Sequence, residues 1–501
     1  MRKRFEQQLN LGVIPISEVK INLKTRHQLA PIMLGLQYLF NDQELSEQAF
    51  EIIEDKVLSG KKETGRLGMS LWEILVLGTA RLSLGIDYDF LLDHANEHQT
   101  FRSILGVGRS DFTQEKEYKY QTVLDNVSLL DEATIKKINA LVVKAGHQII
   151  KKKEEAEAFE LAIKVDSFIV ETNVHFPTDI NLTWDCVRKS LDMIQYLQKE
   201  LSKQNIQLPN WREEKDWRRK LKNQYRKTSE IHRRKGKNYQ PRLKTATRDY
   251  IVLCKTIIKK CRFTLSLQLP CLNGIKIIAI MEALRNYLEL LEKHIDLLNR
   301  RILKGEQIPH KEKMFSIFEE HTRWNNKGKA HKKVELGLPV TIATDQHQFI
   351  LHHEVMETQT DVDLTQPIGL LLKEKYSAQY NLSSISFDRG FYSGPAKKEL
   401  EKHFDQVVMP KPGKKNLAQL QQEAQPKFVA LKRAHSTVEA NINCLENHGV
   451  NRCPDKGIRG FKRYVAFGVL SYNLQHLGKL LMAQQKEEER KNEKKKNLKR
   501  A

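Results

Sequence analysis

Eight apolar residues, Ile277, Met281, Leu284, Leu288, Leu291, Ile295, Leu298 and Ile302, follow one another at alternating steps of four and three. A repeat of seven places all eight on one stripe of a single long helix, and a stripe of that length has to be buried. Packing within the same subunit is the simpler solution, and a dimer seam is the alternative. The stripe lies in a stretch from about Leu191 to Leu336 that is helical and basic. A chain of 501 residues leaves room on both sides of it for further domains and a sizeable core.

Between Gln28 and about Ile150 the apolar residues again recur at helical spacing. Ser70 and Glu73 form an S-x-x-E capping box directly before Ile74, Leu75 and Leu77. Gly85 ends that helix, and Asp87 caps a short one through Phe90, Leu91 and Leu92. Helix, glycine turn, helix suits either a packing unit or a DNA-binding unit. At Glu160 the period changes. Leu161, Ile163, Val165 and Ile169 alternate on one face of a strand, interrupted at Ser167, and Asp166 falls on the other face.

Strand character returns at Val340–Asp345 and Phe349–Met356, joined by a polar turn that suits a hairpin. A helix follows, capped by Asp363 or Thr365 with Pro367 in its first turn. Ile385–Phe387 is a fourth strand running into Asp388, Pro395 starts a helix through Leu400 and Phe404, and Gln406–Met409 is a fifth strand before a helical end. The expected fold is an α/β core, a mixed five-stranded sheet with flanking helices, interrupted by a large helical insertion and preceded by an all-helical domain. The expected boundaries are 1–155 helical and contacting DNA ends, 156–190 first core part, 191–336 basic insertion, 337–484 second core part and 485–501 charged tail.

Met1-Arg2-Lys3-Arg4 is followed by Glu6-Gln7-Gln8 where an export signal needs an apolar run, and the most apolar windows, Leu71–Leu84 and Ile275–Leu291, are interrupted by charges. A cytoplasmic, nucleoid-associated protein is expected. Cys186, Cys254, Cys261, Cys271, Cys444 and Cys453 show no zinc-knuckle or disulfide-scaffold spacing and are read as reduced thiols.

The net charge is +22, and the 52 residues from Arg212 to Phe263 carry 19 Lys and Arg against 5 Asp and Glu. Trp211, Trp217, Tyr225, Tyr239 and Tyr250 are interleaved with these cations, a pattern that suits stacked bases beside phosphates. Double-stranded DNA is therefore the expected partner, with Arg218, Arg219, Lys220, Arg226, Arg233, Arg234, Lys235 and, further on, His435 as contact residues. A membrane surface is not expected, because the segment lacks a continuous apolar face.

A basic protein that breaks phosphodiesters has to activate water and offset charge on the leaving oxygen, and two Mg²⁺ ions held by carboxylates do both. Asp166, Asp388 and Glu439 are the candidate catalytic and metal-ligating acids. Asp388 opens Asp388-Arg-Gly-Phe-Tyr392 at a strand exit, and Glu439 lies in His435-Ser-Thr-Val-Glu439, with His435 one helical turn ahead. Singly, each acid also reads as an exposed strand residue, a helix cap or a surface glutamate.

Val165-Asp-Ser-Phe-Ile-Val-Glu-Thr-Asn-Val-His-Phe-Pro-Thr-Asp179, Phe387–Tyr392, His435–Glu439, Lys327-Gly-Lys329 and Glu335-Leu-Gly-Leu-Pro339 together resemble bacterial insertion-sequence transposases of the Asp-Asp-Glu type. The likeness spans about Leu161–Ser190 and Trp324–Leu480. It implies a ribonuclease-H-like core with elements in the order β1-β2-β3-α-β4-α-β5-α. It also implies two divalent ions on the three acids, Mg²⁺ physiologically with Mn²⁺ as substitute, and cleavage and strand transfer at the element's terminal repeats by a homodimer or higher oligomer. One branch of that family carries Tyr-x2-Arg-x3-Glu-x6-Lys, where this chain has Lys432, His435 and Glu446 around Glu439, so that branch's phosphate contacts do not transfer. A DNA-binding protein of the same fold without activity, or a nuclease of that core class without strand transfer, are the alternatives.

Overall fold

A computed structural model describes residues 2–5, 14–60, 67–108, 116–154, 160–211, 213–267, 274–326 and 334–498. Met1, Glu6-Gln7-Gln8, Arg212, Cys271 and Lys327-Gly-Lys329 lie outside them. The chain divides into two compact units, one of Met1–Asn173 with Asn325–Ala501 and one of Val174–Trp324.

The first unit opens with seven helices: α1 (Leu29–Asn41), α2 (Gln43–Val57), α3 (Leu71–Leu84), α4 (Tyr88–Glu97), α5 (Gln99–Ile104), α6 (Tyr120–Val127) and α7 (Glu132–Glu154). The capping box at Ser70 and Glu73 forms as read, Gly85 closes α3 in the left-handed conformation at φ 63°, and Asp87 caps α4. Nearly every residue of α3 is buried, so it is a core helix and not one presented to a ligand. After β1 (Glu160–Thr172) the chain leaves for the second unit: α8 (Asp179–Ser202), α9 (Glu214–Arg234), α10 (Tyr239–Leu265) and α11 (Ile275–Leu298).

It returns through β2 (Arg323–Asn326), β3 (Val334–Thr344), β4 (Ile350–Val355), α12 (Asp361–Tyr376), β5 (Asn381–Phe387), α13 (Gly394–Leu400) and β6 (Gln406–Val408). It ends with α14 (Leu417–Ala424), α15 (Pro426–His435), α16 (Thr437–Leu445), β7 (Arg452–Cys453) and α17 (Gly457–Leu498). Among the described residues the sheet is mixed and seven-stranded, ordered β2-β3-β1-β5-β6 with β4 on β3 and the short β7 on β1. The five expected strands are present, and β2 and β7 are additional; at four and two residues they are too short to show a period in the sequence. Strand β1 is antiparallel to β3, Asp166 opposite Ile342, and parallel to β5, Val165 opposite Phe387.

Both faces of the sheet are covered. Leu161, Ile163, Val165, Ile385 and Phe387 share a core with Leu364, Ile368 and Leu372 of α12, while Phe168, Val170, Leu338 and Val340 join the cluster that holds the N-terminal helices, α16 and α17. Because that cluster is continuous, the N-terminal helices are part of the same compact unit as the sheet, and the expected separation at 155 is not seen in the packing. The insertion also begins earlier than 191. Ile180, Leu182, Cys186 and Val187 at the start of α8 lie in the second unit's own core with Leu191, Ile194 and Leu197.

The heptad stripe resolves the same way. Ile277, Met281, Leu284, Leu288, Leu291, Ile295 and Leu298 are buried in that core, with α11 packed on α8, and the helix passes into a π-turn at Asn299–Lys304. The stripe is thus used inside one subunit.

The α12 cap also differs from expectation: Thr360 caps the helix, Asp363 completes a capping box from the third position, and Pro367 sits deeper, inside the helix. The charged tail continues α17 as far as Leu498. Helices α1 and α17 touch backbone to backbone, since a Cβ on Gly478 would stand 1.8 Å from the Pro31 carbonyl oxygen and one on Gly35 2.3 Å from that of Leu474. Gly478→Ala is expected to lower unfolding free energy by about 1–3 kcal/mol. Gly394→Ala, with nothing within 4 Å of the added methyl, is expected to stay within roughly 0.5 kcal/mol. Urea titration of the two variants checks this.

Candidate functional site

The parallel pairing of β1 with β5 determines where the acids stand. Lys164 lies beside Ser386 and Val165 beside Phe387, so the next residues, Asp166 in β1 and Asp388 just past β5, stand at the same level where the pairing of the two strands stops. Side chains alternate along a strand. The odd-numbered residues of both strands fill the α12 core, which leaves Lys164, Asp166, Ser386 and Asp388 for the opposite face. Helix α16 covers that face with Val438 at 0% exposure, and Glu439 is the next residue.

Asp388 is exposed and ends β5. It does not act as a side-chain cap: Ser393 caps α13, and the turn at Arg389–Phe391 has no side-chain cap. Glu439 is exposed in the first turn of α16. Among the described residues no lysine or arginine forms an ion pair with Asp166, Asp388 or Glu439, in a chain with 84 such cations.

The three acids share one electrostatic neighbourhood. Burial pushes the Asp166 carboxyl up to about 6; a 2.7 Å hydrogen bond from the Ser167 amide opposes this, and the charges of Asp388, Asp361 and Glu439 add to it. Asp361 was not among the expected acids. It is the first residue of α12, and its carboxylate stands 3.4 Å from where a Cβ on Gly390 would be, beside the Asp388 turn. The sequence signal was the cap Thr360-x-x-Asp363, which places Asp361 at the helix start, with five residues between it and the end of β4.

The donor set is carboxylate oxygen, which suits a hard divalent cation. Among the described residues no group of three His, Cys, Asp or Glu side chains converges closely enough to hold an ion. The acids share a field, and a bound cation would have to draw their carboxylates closer together.

Beneath them lies a polar layer. The buried Lys164 donates to Thr437 Oγ1 at 2.7 Å, and Ser386 Oγ meets His435 Nδ1 at 3.0 Å. His435 belongs to α15, and a turn at Ser436 separates it from the helix of Glu439, so the one-turn relation expected between them is not helical. Burial, with Lys164 adding to it, lowers the His435 pKa against the pull of Asp388. Half-buried and held under the sheet, His435 is not displayed as a DNA contact.

In the second unit most of the interleaved aromatics serve packing. Trp211 and Tyr250 are exposed by 1% and 0%, Tyr225 stacks on Trp184 at 5.3 Å, and Trp217 and Tyr239 pack against the same core. Lys260 lies over Trp211 and Trp217, and Lys220 over Trp217. Arg218 is engaged by Asp192 and Glu214, Arg219 by Asp216, and Arg234 by Glu230. Arg226, Arg233 and Lys235 are exposed. The expected base-stacking role of the aromatics fails for Trp211 and Tyr250 because their rings are needed inside a four-helix core.

Compared with protein-family models, curated proteins and solved structures, the chain matches none. No helix among the described residues is long and apolar enough to cross a membrane.

A carboxyl with a raised folded-state pKa binds its proton more tightly folded than unfolded, so its ionisation opposes folding once pH passes the usual carboxylate range. Asp166→Asn is therefore expected to raise stability at pH 8 in a chelator by at most about 3 kcal/mol, with the gain vanishing below about pH 4, where both states are protonated. Paired melting curves across pH check the sign.

Proposed function

We propose that the chain is a metal-dependent DNA strand-cleaving and strand-transferring enzyme, a transposase of the Asp-Asp-Glu type, with Asp166, Asp388 and Glu439 as its metal-holding acids. The observation that carries this reading is the parallel register of β1 with β5, Val165 beside Phe387, which puts Asp166 and Asp388, 222 positions apart, at the same level on one face of the sheet; the charges of Asp388 and Glu439 both favour the proton on Asp166. Chance seldom leaves like charges together without cations between them, because their repulsion opposes folding. A site that works with a cation bound tolerates this repulsion, since the cation removes it.

The order of elements, a strand, a helical insertion, a hairpin, then helix, strand, helix, strand and helices, is the order that a ribonuclease-H-like core implies, and it supports the same reading. So do the motifs in which the acids stand. Bound divalent ions, Mg²⁺ in the cell, would supply an activated water and offset the charge on the leaving oxygen. The chain's own part is to carry Asp166 and Asp388 on one face of the sheet, with Glu439 on the helix that covers that face. Asp361 adds a fourth negative charge that helps to draw cations there. On the second unit the exposed Arg226, Arg233 and Lys235 suit phosphate contact, which positions DNA without reading its sequence.

Asp388→Ala is expected to reduce metal-dependent nicking of terminal-repeat DNA to background while leaving its gel shift unchanged. Retained cleavage would overturn the assignment. Replacing Arg226, Arg233 and Lys235 together by alanine is expected to lower the slope of log affinity against log salt by about 3. Arg218→Ala, which removes an internally paired cation, should leave that slope alone and lower the melting temperature. Fluorescence anisotropy between 50 and 300 mM salt, roughly the range over which phosphate contacts weaken, makes the comparison.

A further inference from the structure

Two positions before each acid lies a residue of the polar layer: Lys164 before Asp166, Ser386 before Asp388 and Thr437 before Glu439. Two hydroxyl groups join this layer to the backbone. Thr437 Oγ1 donates its proton to the Ala434 carbonyl at 2.9 Å, which leaves its lone pairs to accept from the Lys164 ammonium at 2.7 Å. Ser386 Oγ donates to the Ile163 carbonyl at 3.2 Å and so accepts from His435 Nδ1 at 3.0 Å. A hydroxyl has one proton, and a carbonyl only accepts; the second bond therefore places the histidine proton on Nδ1.

The two bonds grip both sides of one turn, since His435 ends α15 and Thr437 begins α16 with Ser436 between them. Lys164 is 7% exposed, and a buried ammonium left without acceptors is costly, so the sheet holds this turn strongly. The negative charge of Asp345 supports the ammonium from behind, against the burial that lowers its pKa. Asp345 is itself 0% exposed and is fixed by His147 Nε2 of α7 at 2.6 Å and by the Phe349 amide.

We propose that Lys164, Thr437, Ser386 and His435 are positioning residues that clamp the α15–α16 turn to β1 and β5 and so hold Glu439 over the face of the sheet that carries Asp166 and Asp388. This rests on the metal reading of the three acids. None of the four is a ligand here; they act through the backbone that carries the ligands, and such supporting contacts typically change metal affinity by about 10–100-fold.

The test uses the full chain without DNA and Mn²⁺ alone as probe, followed by electron paramagnetic resonance, together with amide hydrogen exchange over residues 436–445. Thr437→Val keeps the shape and removes the acceptor; Thr437→Ser keeps the acceptor. The valine variant is expected to bind Mn²⁺ about tenfold more weakly, to exchange faster in α16 and to melt at a lower temperature, while the serine variant returns to parental values. Lys164→Met should reproduce the valine result. Parental Mn²⁺ affinity and parental exchange in Thr437→Val would overturn the clamp. If the parent chain and Asp388→Ala bind Mn²⁺ equally poorly, the metal reading falls instead, and the exchange rates of the valine and serine variants alone decide whether the turn is clamped.

Discussion

The pairing of β1 with β5 is the interaction from which the candidate site follows. Two strands separated by more than two hundred residues lie parallel and adjacent, and the point where their pairing stops puts Asp166, in the middle of β1, and Asp388, just past β5, at one level. Parallel neighbours need a crossover between them and are stable when both faces are covered. Here the crossover is very long, because a whole helical unit and a hairpin intervene, yet the register between the strands is maintained by apolar residues of both on the α12 side. A slip of one residue would turn every side chain to the other face, removing the acids from their shared side and burying them among Leu364, Ile368 and Leu372.

The opposite face of the sheet carries a different burden. It places a lysine, a serine and two aspartates where α16 has to pack, and the packing works because the polar groups are matched: ammonium to hydroxyl, imidazole to hydroxyl, hydroxyls to carbonyls. Apolar contacts of Val438 and Leu445 with the large cluster secure the helix at both of its ends. The acids stand at the rim of this arrangement, where solvent reaches Asp388 and Glu439 but only part of Asp166, so the burial that raises the Asp166 pKa comes from the same packing that positions it.

The second unit separates two roles that look alike in composition. Its cations and aromatics alternate in sequence, but a helix has an inside and an outside, and the rings turn inward. Trp211 even donates from its indole to Thr264 Oγ1 at 2.8 Å within the core. Arg226, Arg233 and Lys235 remain outside, and exposed charge of this kind suits backbone phosphates.

Much of this was legible from local pattern. The capping box at Ser70, the glycine stop at Gly85, the five main strands and the burial of the Ile277–Leu298 stripe depend on residues close in sequence, and spacing reports such structure because each element has its own period. Tertiary structure alone decided the rest: that Asp361 joins the other acids, that Lys164 and His435 clamp a turn, that the tryptophans face inward, and that α8 belongs with the insertion. These depend on which distant surfaces meet. A side chain's burial and partners are set by what packs over it, and no periodicity along one segment records what another segment brings.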